Sequence, residues 1–486
     1  QLERYEEALE AYDQAARLGR GDVWHYYNQG NVLALLGRYE EALPLLRNAV
    51  ELNPPHARSW ARLGNVLRNL GNYDEAIDAY RHAVEAEATY AWAWNELGMA
   101  YEALGRIEEA LDAYRHAADS DSSDPFYLYQ QVDLLTGKSD HAAALNILET
   151  ALKRDARNSR TWAKHGQVLR RLNRLQDALR SYAKAIELDP QNAWAWNGRG
   201  LVLSALNQHE DALTAFRKAS TLDPRDAWYW YNQGDELVAL NRFREALEIL
   251  EQAIKHNPAH AESWAKRGQA LRRLNRPQDA LAAYDRALAI NPRYAWAWNG
   301  RGLTLEALGR REEAIASYEQ ALEEDSRVIW YYTNQVDLLL EMRRETQALA
   351  VVDRALMVLP DNAIAWSRKG QVLRRLRDFE NALDAYQAAL ERDPQYGWAW
   401  NGKGLAYAAL SRWDEARACY ESAVTFNPND AWFWHNVGEA CMNLDDCPSA
   451  VIAFERALTI DPGHQASRNK LMQARACVEL RDKFIQ

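Results

Sequence analysis

The chain has 486 residues and a net charge of −11, and 48% of its residues are hydrophobic against 26% charged. Ala, Leu, Glu and Arg dominate and no stretch is rich in Pro or Ser, a balance typical of an all-helical protein. The acidic charge disfavours nucleic acid and anionic membrane as partners, and no apolar run is long enough to cross a bilayer.

The first predicted element, in residues 1–22, is a single amphipathic helix. Tyr5, Ala8, Leu9 and Tyr12 match the second helix of the repeat that follows, but no first helix accompanies them. Its apolar face would lack a partner within this sequence. We therefore expect residues 1–22 to be a partial repeat and the chain to be one region of a larger protein.

A 34-residue repeat runs over residues 23–464 without an insertion or deletion, which makes thirteen units. We number the positions of each unit as slots 1–34, with Val23 in slot 1. Slots 20 and 27 are Ala in every unit, slot 8 is Gly in eleven units and slot 32 is Pro in nine. Such a period is typical of supersecondary units that bury their apolar faces only by stacking, so we predict an all-α solenoid.

The unit 261–294 shows how each repeat is expected to fold. Trp264, Gly268 and Leu271 recur at helical spacing and predict a first helix, while Ala280 and Tyr284 do the same for a second. The second helix is expected to end before the proline of slot 32, because a residue that precedes proline is pushed out of the α region. Each unit is therefore predicted to be a helix–turn–helix.

These residues resemble the tetratricopeptide repeat family, and long bacterial arrays of that family in particular. The resemblance implies a right-handed superhelix in which the first helices line a concave groove, where family members mostly bind proteins or peptides. In the family, slots 2, 5, 6, 9, 12 and 13 tend to face this groove. Arg267 departs from the pattern, because slot 7 is usually Leu. The signature slots hold Trp264, Gly268, Ala280, Tyr284, Ala287 and Pro292.

A second period of 102 residues groups the units in threes. Tryptophan units begin with Trp-Ala-Trp-Asn from slot 2. Amide units carry an aromatic in slot 2, a slot-6 amide and usually a slot-9 acid. Basic units carry an amide in slot 9 and arginine in slot 12, and three of the four carry a second arginine in slot 13. We expect the following members of these sets to contact a partner: Trp194, Asn197, Trp228, Asn232, Asp235, Gln269, Arg272, Arg273, Trp296, Asn299, Trp330, Asn334, Arg374 and Arg375.

Three other interpretations of the 102-residue period stay open. Tandem duplication of a three-unit block produces such a period without any ligand. The slot-2 aromatics can pack on the preceding repeat, as aromatic stripes at helical spacing often do. The arginine pairs can form salt bridges between repeats with acids such as Asp235 and Asp337. A continuous ladder of slot-6 asparagines is disfavoured, because tryptophan and basic units hold other residues there.

The last predicted element, in residues 465–486, is a helix that departs from the repeat. Arg468 stands in the slot usually held by Trp, and Met472 in the slot usually held by Gly. Lys470, Arg475 and Arg481 keep its outer face polar. We expect a capping helix at the natural C-terminus of the protein.

The four cysteines, Cys419, Cys441, Cys447 and Cys477, lie in the last part of the chain and lack the paired spacing of a zinc site. We expect them to be free and buried, which favours a reducing compartment and a cytoplasmic location.

No nucleotide-binding, metalloprotease, hydrolase or dinucleotide motif occurs in the sequence, so we expect no catalysis, cofactor or metal. The leading hypothesis is a recognition module, the scaffold or sensor region of a larger protein, that binds a protein or peptide partner with acidic patches. Self-association into a structural filament is the alternative. Nucleic-acid binding through arginine and tryptophan is a third class, disfavoured by the acidic charge.

Overall fold

Each 34-residue repeat folds as two helices joined by a short turn, the first over slots 1–13 and the second over slots 17–30. The computed structural model describes residues 2–17 and 22–485, whose regular elements are all α-helices. None of the described helices is both long and apolar enough to span a membrane. The chain divides into two compact units, Gln1–Pro224 and Arg225–Gln486.

The described part of the first unit contains thirteen helices: α1 (Leu2–Arg17), α2 (Val23–Leu35), α3 (Tyr39–Leu52), α4 (Ala57–Asn69), α5 (Tyr73–Ala86), α6 (Ala91–Ala103), α7 (Ile107–Ser120), α8 (Pro125–Gly137), α9 (His141–Arg154), α10 (Ser159–Arg171), α11 (Leu175–Leu188), α12 (Ala193–Ala205) and α13 (His209–Leu222).

The second unit contains the remaining described helices: α14 (Ala227–Ala239), α15 (Phe243–His256), α16 (Ala261–Arg273), α17 (Pro277–Ile290), α18 (Ala295–Ala307), α19 (Arg311–Glu324), α20 (Ile329–Glu341), α21 (Glu345–Val358), α22 (Ala363–Arg375), α23 (Phe379–Arg392), α24 (Gly397–Ala409), α25 (Trp413–Phe426), α26 (Ala431–Asn443), α27 (Cys447–Ile460) and α28 (Gln465–Ile485).

Stacking between neighbours produces an α-solenoid, as the sequence predicts. Within each unit, a second helix packs both on the first helix of its own repeat and on the first helix of the next. The alanines of slot 20 are fully buried in all thirteen repeats, because a larger side chain would separate the two helices of the hairpin. Each hairpin therefore completes its core with its neighbour.

Slot 8 is where the two helices of a hairpin come closest. A methyl group added at Gly268 would lie 2.9 Å from the ring of Tyr284 in slot 24, closer than side-chain carbons normally approach. Val336 stands in slot 8 of a repeat whose slot 24 holds the smaller Val352. The side chains of slots 8 and 24 therefore compete for the same space between the two helices, and glycine in slot 8 accompanies the large aromatic rings in slot 24.

The slot-4 tryptophans join each first helix to the turn that precedes it. The indole Nε1 of Trp264 donates to the carbonyl oxygen of Pro258 at 3.0 Å, and Trp366 donates to Pro360 at 2.8 Å. These rings are half-buried, and the hydrogen bond satisfies a carbonyl group just beyond the end of the preceding helix. The following tryptophans donate in this way: Trp60, Trp94, Trp162, Trp196, Trp264, Trp298, Trp366, Trp400 and Trp434.

The expectation of four free cysteines is wrong. Cys447 on α27 and Cys477 on α28 form a disulfide, with their Cα atoms 6.0 Å apart, whereas Cys419 and Cys441 are free and buried. The four residues lack a metal-like spacing in the sequence, but the stacking of the last two helices brings this pair together. The argument from free cysteines to a reducing compartment therefore loses its basis.

The turn inside every hairpin has the same backbone conformation. The described residues with positive φ number thirteen, four glycines and nine others, and all of them occupy slot 15. The following residue closes the first helix, as when the N–H of Arg38 donates to the carbonyl of Leu33 at 2.9 Å. Glycine and asparagine adopt this left-handed conformation readily, but Arg343 (φ 57°) and Arg377 (φ 64°) do so at a cost.

Replacing Arg377 with glycine is expected to stabilise the second unit by about 0.5–1 kcal/mol, because the substitution relieves a left-handed backbone at a side-chain-bearing residue. Urea unfolding and hydrogen exchange of the turn between α22 and α23 measure the effect. Gly309→Ala, in the same slot, serves as the reverse control and is expected to lose stability. A lower urea midpoint for Arg377→Gly would contradict this explanation of slot 15.

Candidate functional site

The first helices of consecutive repeats also contact each other directly. Such contacts join α2, α4 and α6, and α10 and α12, in the first unit, and they run from α14 through α16, α18, α20 and α22 to α24 in the second. We call the surface formed by slots 2, 5, 6, 9, 12 and 13 the first-helix face. Side chains of neighbouring repeats meet on it, and it carries all the site residues proposed from the sequence.

The slot-2 tryptophans of the amide units are exposed. The exposed fraction is 50% for Trp228 and 59% for Trp330, although burial is the usual state of so large an apolar ring. The Trp228 ring centroid lies 4.4 Å from that of His260 and 5.5 Å from that of Tyr231, both in T-shaped arrangements. These two predicted residues therefore present broad apolar surface to solvent.

Two slot-2 tryptophans of the tryptophan units behave differently, whereas Trp398, in the same slot of another such unit, is 55% exposed. Trp194 and Trp296 are half-buried and pack against the core of their repeat stack. The Lys266 ammonium of the preceding repeat lies 4.6 Å from the Trp296 ring centroid, within cation–π range. Packing on the preceding repeat, one of the alternative interpretations, thus describes Trp194 and Trp296, whereas Trp228 and Trp330 remain available.

The predicted asparagines hydrogen-bond each other instead of forming a continuous ladder. The Nδ2 of Asn334 in slot 6 donates to the Oδ1 of Asn299 in slot 5 of the preceding repeat at 2.8 Å. The same pair recurs at Asn436 and Asn401, at 2.7 Å. Two further predicted residues occupy the corresponding slots of other repeats, namely the largely buried Asn197 on α12 and Asn232 on α14.

The slot-9 acids pair with the base in slot 6 of the next repeat. Asp235 lies 2.7 Å from the Lys266 ammonium, and the Arg368 guanidinium donates to Asp337 at 2.7 Å. The interpretation that pairs these acids with the slot-12 and slot-13 arginines is therefore wrong. Further pairs of this kind are Asp133 with Lys164 and Glu439 with Lys470.

The arginine pairs of the basic units stand beside these salt bridges without joining them. Arg272 and Arg374 are half-buried, and the Nε of each has no hydrogen-bond partner. The amide oxygen of Gln269 is likewise buried without a partner. Arg273 is exposed, and its guanidinium carbon lies 5.5 Å from the centroid of the Phe243 ring. Arginine positions with such unmet hydrogen-bonding capacity are suited to an external acceptor.

A shallow depression on the second unit gathers several of these side chains. Asn334 and Arg375, both predicted from the sequence, line it together with Asp337 and Gln371. The depression is polar and mixes acid, base and amide groups. Among the described residues, those of the depression included, no group of three or more His, Cys, Asp or Glu side chains is arranged to hold a metal ion.

Sequence reasoning missed two parts of this face. The slot-6 bases, such as Lys266, are the partners of the acids, and the 31-residue separation in sequence is the signal that could have revealed them. The slot-24 tyrosines of the second helices also reach this region: burial raises the pKa of Tyr284 to about 12, opposed by the neighbouring Arg272. The alternation of Tyr and Leu in slot 24 follows the same 102-residue period.

Comparison with known proteins gives a consistent family match. Four family models, described as tetratricopeptide repeat or TPR repeat, match most of the sequence. No curated protein matches it significantly. The matched ranges are 21–86, 55–123, 166–207, 193–226, 231–295, 266–328, 333–397 and 397–430.

Several solved structures resemble the chain at low identity. The Cut9–Hcn1 hetero-tetramer of the APC/C shares 16% identity over 97% of this chain and 94% of that chain, with a TM-score of 0.49. Yeast Tom70 shares 15% identity over 94% of this chain and 96% of that chain, with a TM-score of 0.45. YrrB, a TPR protein with an unusual peptide-binding site, shares 24% identity over 38% of this chain and 95% of that chain, with a TM-score of 0.32.

Replacing Asp337 with asparagine is expected to change stability little at neutral pH, by less than about 1 kcal/mol. Burial raises the pKa of the Asp337 carboxyl, although Arg368 acts to lower it. The ionised carboxylate therefore destabilises the folded state as the pH rises above the unfolded-state pKa of about 4. The thermal midpoint of Asp337→Asn, relative to the wild type, should therefore rise between pH 4 and pH 7 (about the titration range of a carboxyl).

Asp177→Asn is the control of opposite sign. Hydrogen bonding to Arg174 lowers the pKa of the Asp177 carboxyl, so this variant should lose relative stability over the same pH range. A relative midpoint of Asp337→Asn that falls with rising pH would show that the salt bridge outweighs desolvation.

Proposed function

Because the chain belongs to the tetratricopeptide repeat family, we propose that it is a recognition module whose first-helix face forms a groove that binds a protein or peptide. It acts by binding and not by catalysis, as a scaffold or sensor region. The observation that carries the proposal is the exposure of the slot-2 tryptophans of the amide units, Trp228 and Trp330 among them.

Exposed tryptophans that recur in the same slot of the amide units are suited to anchoring a partner. Trp24 and Trp432, in the same slot of two further amide units, are 49% and 57% exposed. Tryptophan and arginine are over-represented among residues that dominate binding energy, since both bury a large area with a polar group attached. Beside each of the two central tryptophans, an acid–base pair and an asparagine provide polar contacts that set the register of the partner.

Other exposed apolar side chains make a matched comparison possible. Met357 on α21 is 83% exposed and Ile452 on α27 is 66% exposed, and both lie on second helices, away from the proposed groove. Truncating them removes exposed apolar surface without touching the first-helix face.

The double variant Trp228→Ala/Trp330→Ala is expected to weaken binding about 30-fold or more, since losing an anchoring tryptophan costs about 2 kcal/mol. The partner is first identified by capture and mass spectrometry, then purified, and its Kd is measured by titration calorimetry. Met357→Ala/Ile452→Ala should change the Kd less than about twofold. The proposal is wrong if the second-helix variant loses binding while the tryptophan variant keeps it.

Light scattering over a concentration series addresses the self-association alternative. A mass that stays at one chain supports a separate partner. If the mass grows with concentration and Trp228→Ala/Trp330→Ala abolishes that growth, the occupant of the groove is instead a second copy of this chain.

A further inference from the structure

The four basic units repeat one cluster of three polar side chains. Each has an arginine in slot 12, an amide in slot 9 and a tyrosine in slot 24 of the second helix behind them. We call each cluster an arginine site and name it by its arginine. The four sites are Arg68 with Asn65 and Tyr80, Arg170 with Gln167 and Tyr182, Arg272 with Gln269 and Tyr284, and Arg374 with Gln371 and Tyr386.

The Arg68 site is occupied by a carboxylate of the chain itself. Glu96, in slot 6 of the next repeat, is only 7% exposed and lies against all three side chains. The Arg68 guanidinium donates to its Oε2 at 3.2 Å, and the Asn65 amide and the Tyr80 hydroxyl donate to the same atom at 3.4 Å each. This site shows what the cluster binds: one carboxylate oxygen, held by three donors.

The other three sites lack that carboxylate. The residue that corresponds to Glu96 is Gly198, Gly300 or Gly402. Within the described part of the chain, Arg68 forms an ion pair with Glu96, whereas Arg170, Arg272 and Arg374 form none. The Nε of all four slot-12 arginines, Arg68 included, is buried without a hydrogen-bond partner, so the sites differ in the carboxylate and not in this atom.

One other carboxyl lies near the middle site but is already engaged. Glu306, in slot 12 of the repeat after Arg272, accepts a hydrogen bond from the Tyr318 hydroxyl at 2.8 Å. In the repeats that follow those of Arg170 and Arg374, slot 12 holds the uncharged residues Ser204 and Ala408. The chain therefore supplies no anion from this slot to two of the three sites.

The glycines also place the tyrosines for binding. A side chain at Gly198 or Gly300 would overlap the ring of Tyr182 or Tyr284, so each ring covers bare backbone. Burial raises the pKa of both hydroxyls to about 12, with the adjacent arginine opposing. Each hydroxyl is therefore protonated at neutral pH and remains a hydrogen-bond donor beside the guanidinium.

We propose that Arg170, Arg272 and Arg374 each bind a glutamate or aspartate side chain of an acidic polypeptide, through the same kinds of donor that hold Glu96 at Arg68. The inference rests on the proposed function and specifies the chemistry of the partner. Carboxylate is the anion that an equivalent cluster in this chain already holds. Within the second unit, the repeat of the site at Arg272 and Arg374, 102 residues apart in the sequence, suits an extended partner with acidic residues along its length.

The test uses two fluorescein-labelled peptides of about 40 residues, one of alternating Glu and Ser and one of alternating Gln and Ser, a length chosen to span several repeats. Fluorescence anisotropy at low salt gives their affinities for the wild-type chain. We expect the Glu peptide to bind at least about tenfold more tightly, as charge-assisted arginine pairs at linked sites predict.

Matched triple variants separate the sites from general electrostatics. Arg170→Gln/Arg272→Gln/Arg374→Gln should reduce the preference for the Glu peptide to about twofold or less. Arg171→Gln/Arg273→Gln/Arg375→Gln removes the same charge from the adjacent, exposed slot 13 and should retain most of the preference. An equal loss of the preference for the Glu peptide in both variants would overturn the proposal. The proposal would also be overturned if single-stranded DNA bound more tightly than the Glu peptide and the slot-12 substitutions abolished that binding.

A second pair of variants keeps the arginines and changes slot 6. Gly198→Glu/Gly300→Glu/Gly402→Glu supplies the carboxylate that Glu96 provides at Arg68, where a slot-6 side chain and a slot-24 tyrosine coexist. It should abolish the preference. The control Gly198→Ala/Gly300→Ala/Gly402→Ala adds the carbon that meets the tyrosine ring but is too short to fill the site, so it should retain a clear preference. If the Ala variant loses the preference as completely as the Glu variant, carboxylate replacement is not the cause.

The outcomes distinguish this inference from the proposed function. Loss of partner binding on removal of Trp228 and Trp330, with no preference for the Glu peptide, supports the groove and overturns the arginine sites. A preference that depends on slot 12, with partner binding unaffected by the two tryptophans, supports the sites and overturns the tryptophan anchors.

Discussion

The close approach of slot 8 to slot 24 is the constraint on which the rest of each hairpin depends. Where a ring such as Tyr284 stands in slot 24, a side chain at Gly268 would have to displace it, so the two helices can pack in one register only. The fully buried alanines of slot 20 maintain the same register in every repeat. Because the register is fixed, each slot of the first helix returns to an equivalent place in its stack, and a 102-residue sequence period becomes a spatial pattern of side chains.

The same slot 24 links the core to the first-helix face. In the basic units the slot-24 tyrosine lies beneath the first-helix face, next to the slot-12 arginine. A glycine in slot 6 of the next repeat leaves room for the tyrosine ring. At Arg68 the room is taken by Glu96, which neutralises the arginine within the chain. One change in slot 6 thus converts an internal salt bridge into an arginine with an unmet partner, without altering the helices that carry it.

The helices, their bounds and the small residues of the core follow directly from the 34-residue period, because local periodicity and burial agree at every slot. The partners of polar side chains do not follow from it. Asp235 was expected near the arginine pairs but pairs with Lys266, since the offset between neighbouring first helices brings slot 9 against slot 6. Trp296 packs against Lys266 while Trp330 is exposed, a difference that the shared slot does not reveal. The Cys447–Cys477 disulfide likewise depends on stacking.

Site-specific photo-crosslinking tests the central claim, that the first-helix face meets the partner, most directly. A photo-reactive amino acid is placed at Arg375, which is exposed in slot 13, and separately at Met357, which is exposed on a second helix. The purified partner is added, and crosslinked peptides are identified by mass spectrometry. We expect crosslinks from position 375 and none above background from position 357. Crosslinks from position 357 alone would contradict the account.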